Sequence, residues 1–408
     1  MSYWQPGSVA SYRAGRKNMS TDKFSLQADE LLADARKRAG LDDFGDPWFM
    51  QPLGVMLEAL NREARLSAAG VAAHHERIVT GLVNRLRMVD ALRLHPEIAS
   101  ESVEVTAIIV GLPRTGSTLF HRLLTTAPGL TAVRFWEAQN YAPFPGEMRG
   151  QPAARRQWAA DLIAEMLRIT PDLLSIHPYQ VDGADEEIMI LDQFFVGTQP
   201  EAYAYIPSYS AWLDGADLTP AYRELRAVLG FLQWQDEARG GKRWVLKTPG
   251  HLAALGAATA VFPEARFVMT HRDPLETVPS YCSMVAALHG AATEQLDRVA
   301  VGRFTAQRWA ALLDRFTRAR DTGSAGRFID VDYRSVQRTP LAEWRRVLDL
   351  LGEPTDAAAE ALATKWLGNN RREQRATHHY TLEEFGLDRD ELVNLFSAYR
   401  ERFILDRA

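Results

Sequence analysis

Cysteine is almost missing from this chain: among 408 residues there is one, Cys282. No intramolecular disulfide and no cysteine-based zinc cluster can form, and the composition suits a reducing, cytoplasmic setting. Long apolar runs are missing too. No stretch approaches the ~18 residues that a membrane-spanning helix requires. The first residues, rich in Gly, Ser, Arg and Lys, lack the apolar centre of a signal peptide. Residues 1–24 therefore read as a flexible tail, with Met19 as a second candidate translation start. Positive charge is not in excess either, since 47 Lys and Arg stand against 52 Asp and Glu for a formal charge of -5. Without a net basic field, nucleic acid and acidic membrane surfaces are disfavoured as partners. Internal repeats and low-complexity tracts are absent.

What is present is an ordinary globular balance, 46% hydrophobic and 24% charged, long enough for two to three domains at ~150 residues each. From Ser25 to about Leu94 the apolar residues recur at three and four positions, as in Ile78, Leu82, Leu86 and Val89, which predicts a helical N-terminal region over 25–96. The period then changes. Val105 to Val110 is a short apolar run closed by Gly111 and Pro113, the pattern of a buried parallel strand. Trp244–Leu246, Arg266–Thr270 and Arg327–Val331 repeat it, and Thr131–Phe135 is a weaker fifth candidate. Strands separated by helical sequence predict an α/β fold, a doubly wound parallel sheet with helices on both faces, spanning 97–408. The stretch of about 143–241, helical and rich in Trp and Tyr, reads as an insertion and a lid over the site.

The strongest chemical signal runs from Ile108 to Phe120, where a strand enters Gly111-Leu112-Pro113-Arg114-Thr115-Gly116-Ser117-Thr118 and opens into a helix. Loop amides and a helix N-terminus form an anion cradle. The glycines keep the Walker spacing, yet Ser117 stands where the lysine belongs and the cation has moved into the loop as Arg114. This is therefore not a standard nucleotide triphosphatase loop. A second signal is Thr270-His271-Arg272-Asp273-Pro274 with Ser280 eight residues beyond Arg272. A guanidinium leaving a strand and a hydroxyl on the next helix can converge on a further phosphate. Two anion sites imply a ligand with two phosphate-like groups.

These motifs, together with Trp136-Glu137, Lys247-Thr248-Pro249 and the tail segment Tyr380–Leu387, resemble the bacterial branch of the sulfotransferases that use 3′-phosphoadenosine 5′-phosphosulfate (PAPS). The resemblance implies a P-loop-like phosphosulfate loop in which Arg114, Thr115, Gly116, Ser117 and Thr118 take the 5′-phosphosulfate. It implies Arg272 and Ser280 for the 3′-phosphate and Tyr333 near the adenine, with PAPS as co-substrate and no metal. The tail departs from the pattern: Ala376-Thr377-His378-His379-Tyr380 lacks the usual Gly and basic residue, leaving Arg371, Arg372 or Arg375 to supply the charge.

In an open parallel sheet, ligands gather at the carboxyl edge of the strands. Arg114, Glu137, Lys247, Arg272 and Tyr333 each follow a different expected strand and should share that edge. Sulfuryl transfer to a hydroxyl needs a base and cations near the group in flight. Glu137 is expected as the base, the alternative being a structural carboxylate salt-bridged to Arg114, and Lys247 with Arg114 as the electrophilic pair. Glu186 and Glu187, expected in the first turn of a helix, His251 and His177 are the competing bases. Asp330 and Asp332 could mimic a Mg²⁺-holding strand end, but without the loop lysine a metal site has little support. The acceptor is left open as a small molecule, lipid or carbohydrate, with Trp158, Tyr203, Tyr205, Tyr209, Trp212 and Trp234 as stacking candidates or plain core. Homo-oligomerisation is also open. A P-loop kinase or nucleotide hydrolase, and a non-catalytic nucleotide-binding scaffold, are the alternative functions.

Overall fold

Strand β1, Val105–Val110, is central in a five-stranded parallel sheet that also contains β2 (Leu130–Thr131), β3 (Arg243–Lys247), β4 (Arg266–His271) and β5 (Phe328–Asp332), in the order β2-β3-β1-β4-β5. The computed structural model describes residues 25–169, 179–323, 325–370 and 381–405. The N-terminal tail, His177, Arg371, Arg372, Arg375 and the segment up to Tyr380 lie outside the described residues. All six residues of β1 are buried, because both faces of the sheet are covered. Ile108 and Val110 join one hydrophobic cluster while Ala107 and Ile109 join another. That is the alternation expected of a strand with a core on each side.

The first cluster runs without a break through the N-terminal helices α1 (Ala28–Ala39), α2 (Met50–Glu63) and α3 (Ala68–Leu94) and through the insertion to one sheet face. The second cluster packs α4 (Ser117–Leu124) and the helices near the C-terminus, such as Pro340–Leu351, on the opposite face. A doubly wound α/β sheet is therefore the architecture. Among the described residues no helix is long and apolar enough to cross a membrane.

Four of the five expected strands are present with small boundary shifts. The fifth is corrected. Pairing in β2 stops at Thr131, and Phe135–Gln139 is a short helix, α5. The apolar residues that suggested a longer strand are buried for another reason: the insertion returns alongside them. Arg134 bridges Ala184 in antiparallel fashion, the amide of Asp185 donates to Val133 O at 2.9 Å, and that of Phe135 donates to Gly183 O at 3.0 Å. Midway along, the insertion thus forms a strap, residues 181–187, laid against the sheet edge before helix α6, Ile188–Gln193.

The aromatic side chains of the insertion are mostly core. Tyr209 is fully buried, its hydroxyl donating to Phe195 O and Gly197 O, and Trp234 is 8% exposed. Tyr205 and Trp212 pack against the first cluster, and Trp158 packs beside Phe135 and Trp136.

Candidate active site

The loop between β1 and α4 is held in an unusual backbone conformation. Arg114 has φ 69° and Gly116 has φ 80°. A left-handed turn is costly for a side-chain-bearing residue and cheap for glycine. Gly116 also needs its missing side chain for space: a Cβ there would come within 2.8 Å of the Tyr333 ring. The loop is pinned from below by Thr115, whose hydroxyl donates to Leu112 O at 2.9 Å and lies 2.7 Å from Thr270 Oγ1 at the end of β4.

The second anion motif meets the first. Arg114 Nε donates to Ser280 Oγ at 3.2 Å, where Ser280 lies on α7, Pro274–Ala292. Arg272 Nη1 donates to the Arg114 carbonyl at 3.1 Å, and its guanidinium stands 4.3 Å from the centre of the Tyr333 ring. Arg114, Gly116, Arg272, Ser280 and Tyr333 are therefore one cluster at the carboxyl edge of β1, β4 and β5. Asp273 caps α7 through the Leu275 amide and is gripped by Arg400 at 2.9 Å, which ties the C-terminal segment to this edge.

On the other side of β1, Lys247 is the last residue of β3 and 1% exposed. Its ammonium donates to Thr118 Oγ1 at 2.8 Å and forms an ion pair with Glu186. A lysine outside the loop thus reaches the first turn of α4, a place comparable to the one where the Walker pattern lacks its own. Beneath it lies His121, fully buried, whose ring is pushed down to about 4 by burial and by the nearby Lys247 charge. A neutral imidazole adds no competing positive charge there.

Glu137 is placed differently from expectation. Because the chain turns into α5 instead of extending along the sheet, Glu137 occupies the third helical position. Its Oε2 accepts from the Arg134 amide at 2.8 Å and from Arg239 Nη2 at 2.7 Å. With 1% exposure, the carboxylate is a helix cap and half of a buried ion pair, as in the structural alternative to the base role, but with Arg239 as its partner in place of Arg114. Glu186 and Glu187 also differ from expectation, since they precede α6 and lie in the strap, with Glu187 as the N-cap residue. Glu186 is the carboxylate beside Lys247, and it keeps 18% of its side chain exposed. His251 is fully buried against Glu187. Asp330 is tied to Arg320 and His271, and Asp332 caps the helix that starts at Tyr333. Among the described residues no group of three or more His, Cys, Asp or Glu could hold a metal ion.

Residues that sequence reading passed over include Thr270, Arg239 and Tyr222, each a partner of a chosen residue. Only Thr270 had a local signal, its place at a strand end beside Arg272.

A parallel sheet with a glycine-bounded loop after its central strand, a lysine reaching that loop and an arginine at the next strand end is the arrangement of an α/β protein with the P-loop-like fold. The family model of the "Sulfotransferase family" matches residues 107–357, and the chain belongs to that family. It is similar to the solved sulfotransferase STF1 of Mycobacterium tuberculosis H37Rv, with 30% identity, a TM-score of 0.81, and coverage of 92% of this chain and 100% of that one. It is also similar to sulfotransferase STF9 of Mycobacterium avium, with 25% identity, a TM-score of 0.83, and coverage of 95% and 98%. Among curated proteins it is 26% identical over 260 residues to omega-hydroxy-beta-dihydromenaquinone-9 sulfotransferase Stf3 of Mycobacterium bovis and of Mycobacterium tuberculosis. The match covers 60% of this chain and 62% of the length of those relatives.

Proposed function

We propose that this protein transfers a sulfuryl group from PAPS to a hydroxyl of a small-molecule or lipid acceptor. The observation that carries the reading is the Lys247 ammonium, which links Thr118 of the anion loop to the Glu186 carboxylate. Cation, loop and base then converge at one sheet edge.

The fit to the donor rests on the two halves of the cluster. Thr115, Gly116, Ser117 and Thr118, with Arg114, would take the 5′-phosphosulfate at the loop amides and α4 N-terminus. Arg272 and Ser280 would take the 3′-phosphate, and Tyr333, already stacked on Arg272, would lie against the adenine. Once bound there, PAPS supplies an electrophilic sulfur with a phosphate leaving group. As the acceptor oxygen bonds to that sulfur, the bond from sulfur to the phosphate oxygen breaks and the acceptor proton goes to a base.

Glu186 is that base in our reading. It is the carboxylate paired with the Lys247 ammonium, and its partial exposure leaves it an open side toward an incoming hydroxyl. Glu137 and His251, each at 1% exposure or less, have no such side. Lys247 and Arg114 would neutralise charge developing on the phosphate oxygen.

For the acceptor, the similarity to a sulfotransferase named for a hydroxylated menaquinone makes hydroxylated polyprenyl lipids the first class to screen. The test has two arms. Titration with 3′-phosphoadenosine 5′-phosphate, without metal, should stabilise the fold by about 2.7 kcal/mol at 100 times the dissociation constant. Glu186→Gln should then lower kcat by about 10²–10⁴-fold with little change in that affinity. An equal response to AMP, or a response only to Mg²⁺ and ATP, would favour a kinase or hydrolase. Bisphosphate binding without turnover on any acceptor would favour a scaffold.

A further inference from the structure

Lys247 is gripped at both ends by adjacent residues of the strap. Glu186 takes its ammonium, while Glu187 Oε2 accepts from its backbone amide at 2.9 Å. The second oxygen of Glu187 lies 2.6 Å from His251 Nε2, and His251 Nδ1 lies 2.5 Å from the Tyr222 hydroxyl. These three side chains come from three elements: the strap, the 3-10 turn Pro249–Ala253 that follows β3, and the insertion helix Thr219–Gln235. Each is buried to 1% exposure or less.

Burying a carboxylate is costly unless it is fully bonded. Here burial works against the Glu187 charge, but His251 and the Lys247 amide outweigh it and hold the carboxyl below its usual range. A charged group kept at the core of the fold, bonded to the lysine that the proposed reaction uses, does more than fill space. Apolar residues of the same volume would often be at least as stable.

We propose that Glu187, His251 and Tyr222 form a positioning set that fixes where Lys247 and Glu186 stand, resting on the reading of that pair as the reactive one. All three are buried and act through Lys247 and Glu186. Tyr222 orients the His251 ring, the ring orients Glu187, and Glu187 sets both the exit of β3 and the turn that presents Glu186. Displacement of a reacting group by about 1 Å can cost 10²-fold in rate, so loss of the set should appear in kcat and not in donor affinity.

The test compares two replacements of one residue. A glutamine at His251 can place its amide where Nε2 stood and keep the Glu187 contact; an asparagine reaches only the Nδ1 position. His251→Gln should keep kcat within about fivefold, whereas His251→Asn should lower it by about 10–100-fold, with affinity for 3′-phosphoadenosine 5′-phosphate unchanged in both. Tyr222→Phe, which removes one hydroxyl and keeps the ring, spares the fold and should lower kcat about threefold to tenfold. Amide hydrogen exchange supplies a readout independent of the reaction. In His251→Asn the Lys247 amide should exchange at least tenfold faster while the amides of β1 do not change. Equal kcat in the two His251 variants, or exchange that rises equally across β1 and β3, would overturn the proposal and leave the set as ordinary core. Absence of sulfuryl transfer in the wild-type protein would instead sink the proposed function, while the exchange result would still decide whether the set holds Lys247.

Discussion

Replacing Arg272 tests the 3′-phosphate contact proposed for it. In the structure its guanidinium donates to the Arg114 carbonyl at 3.1 Å, stacks 4.3 Å from the Tyr333 ring and pairs with Glu276 at 2.7 Å. A charge-assisted hydrogen bond to a phosphate contributes about 1.5–3 kcal/mol. At 1.4 kcal/mol per decade, Arg272→Ala should weaken 3′-phosphoadenosine 5′-phosphate by about 10–150-fold. The Glu276 pair subtracts little, because Glu276 is 59% exposed and exposed pairs contribute roughly 0–1 kcal/mol. Glu276→Gln should therefore tighten binding, by about fivefold at most. Arg272→Lys keeps the charge and loses the planar fork and the ring stacking, so it should fall between wild type and alanine. Calorimetric titration at two salt concentrations measures all three, and the charge contribution should shrink at the higher one. Affinity within twofold of wild type in Arg272→Ala would refute the assignment. A loss equally large for adenosine 5′-phosphate, which has no 3′-phosphate, would trace the effect to the Arg114 loop instead.

Three further outcomes are expected. Glu137→Gln breaks a fully buried ion pair with Arg239 and should cost about 3 kcal/mol of stability, while kcat of the folded fraction changes little; a 10²-fold drop in kcat at unchanged melting temperature would restore Glu137 as the base. Gly116→Ala combines a φ of 80° with a Cβ 2.8 Å from Tyr333, so titration should show weakened bisphosphate binding, and wild-type affinity would mean the loop relaxes freely. For Asp330, burial opposes ionisation, but bonds from Arg320 and His271 outweigh it and hold the carboxyl far below its usual value. A depressed folded value means that the contribution is complete above about pH 4 and is lost as pH falls toward the folded value. Denaturant titrations of Asp330→Asn should accordingly show a deficit at neutral pH that narrows below about pH 4; a deficit constant with pH would refute the linkage.

The sequence alone determined the parts of this protein that are local. A buried strand, a glycine-bounded loop and a helix occupy Val105 to Leu124 without interruption, and β4 delivers Arg272 to the same edge with Ser280 on the helix that follows. Strand period and loop spacing record such units directly, and the parallel order of the sheet then brings them together. Tertiary structure decided which carboxylate meets Lys247. Glu186 is 61 residues away in the chain, and Arg239, which occupies Glu137, is 102 residues from it. Both contacts depend on how the insertion closes on itself and lays its strap beside Val133 to Phe135. The same strap explains the failed strand, since a short apolar run is buried equally well by a sheet neighbour or by a returning loop. Periodicity reports that a side chain is covered; the identity of what covers it is set by contacts between distant segments, and that is where the charges of this site found their partners.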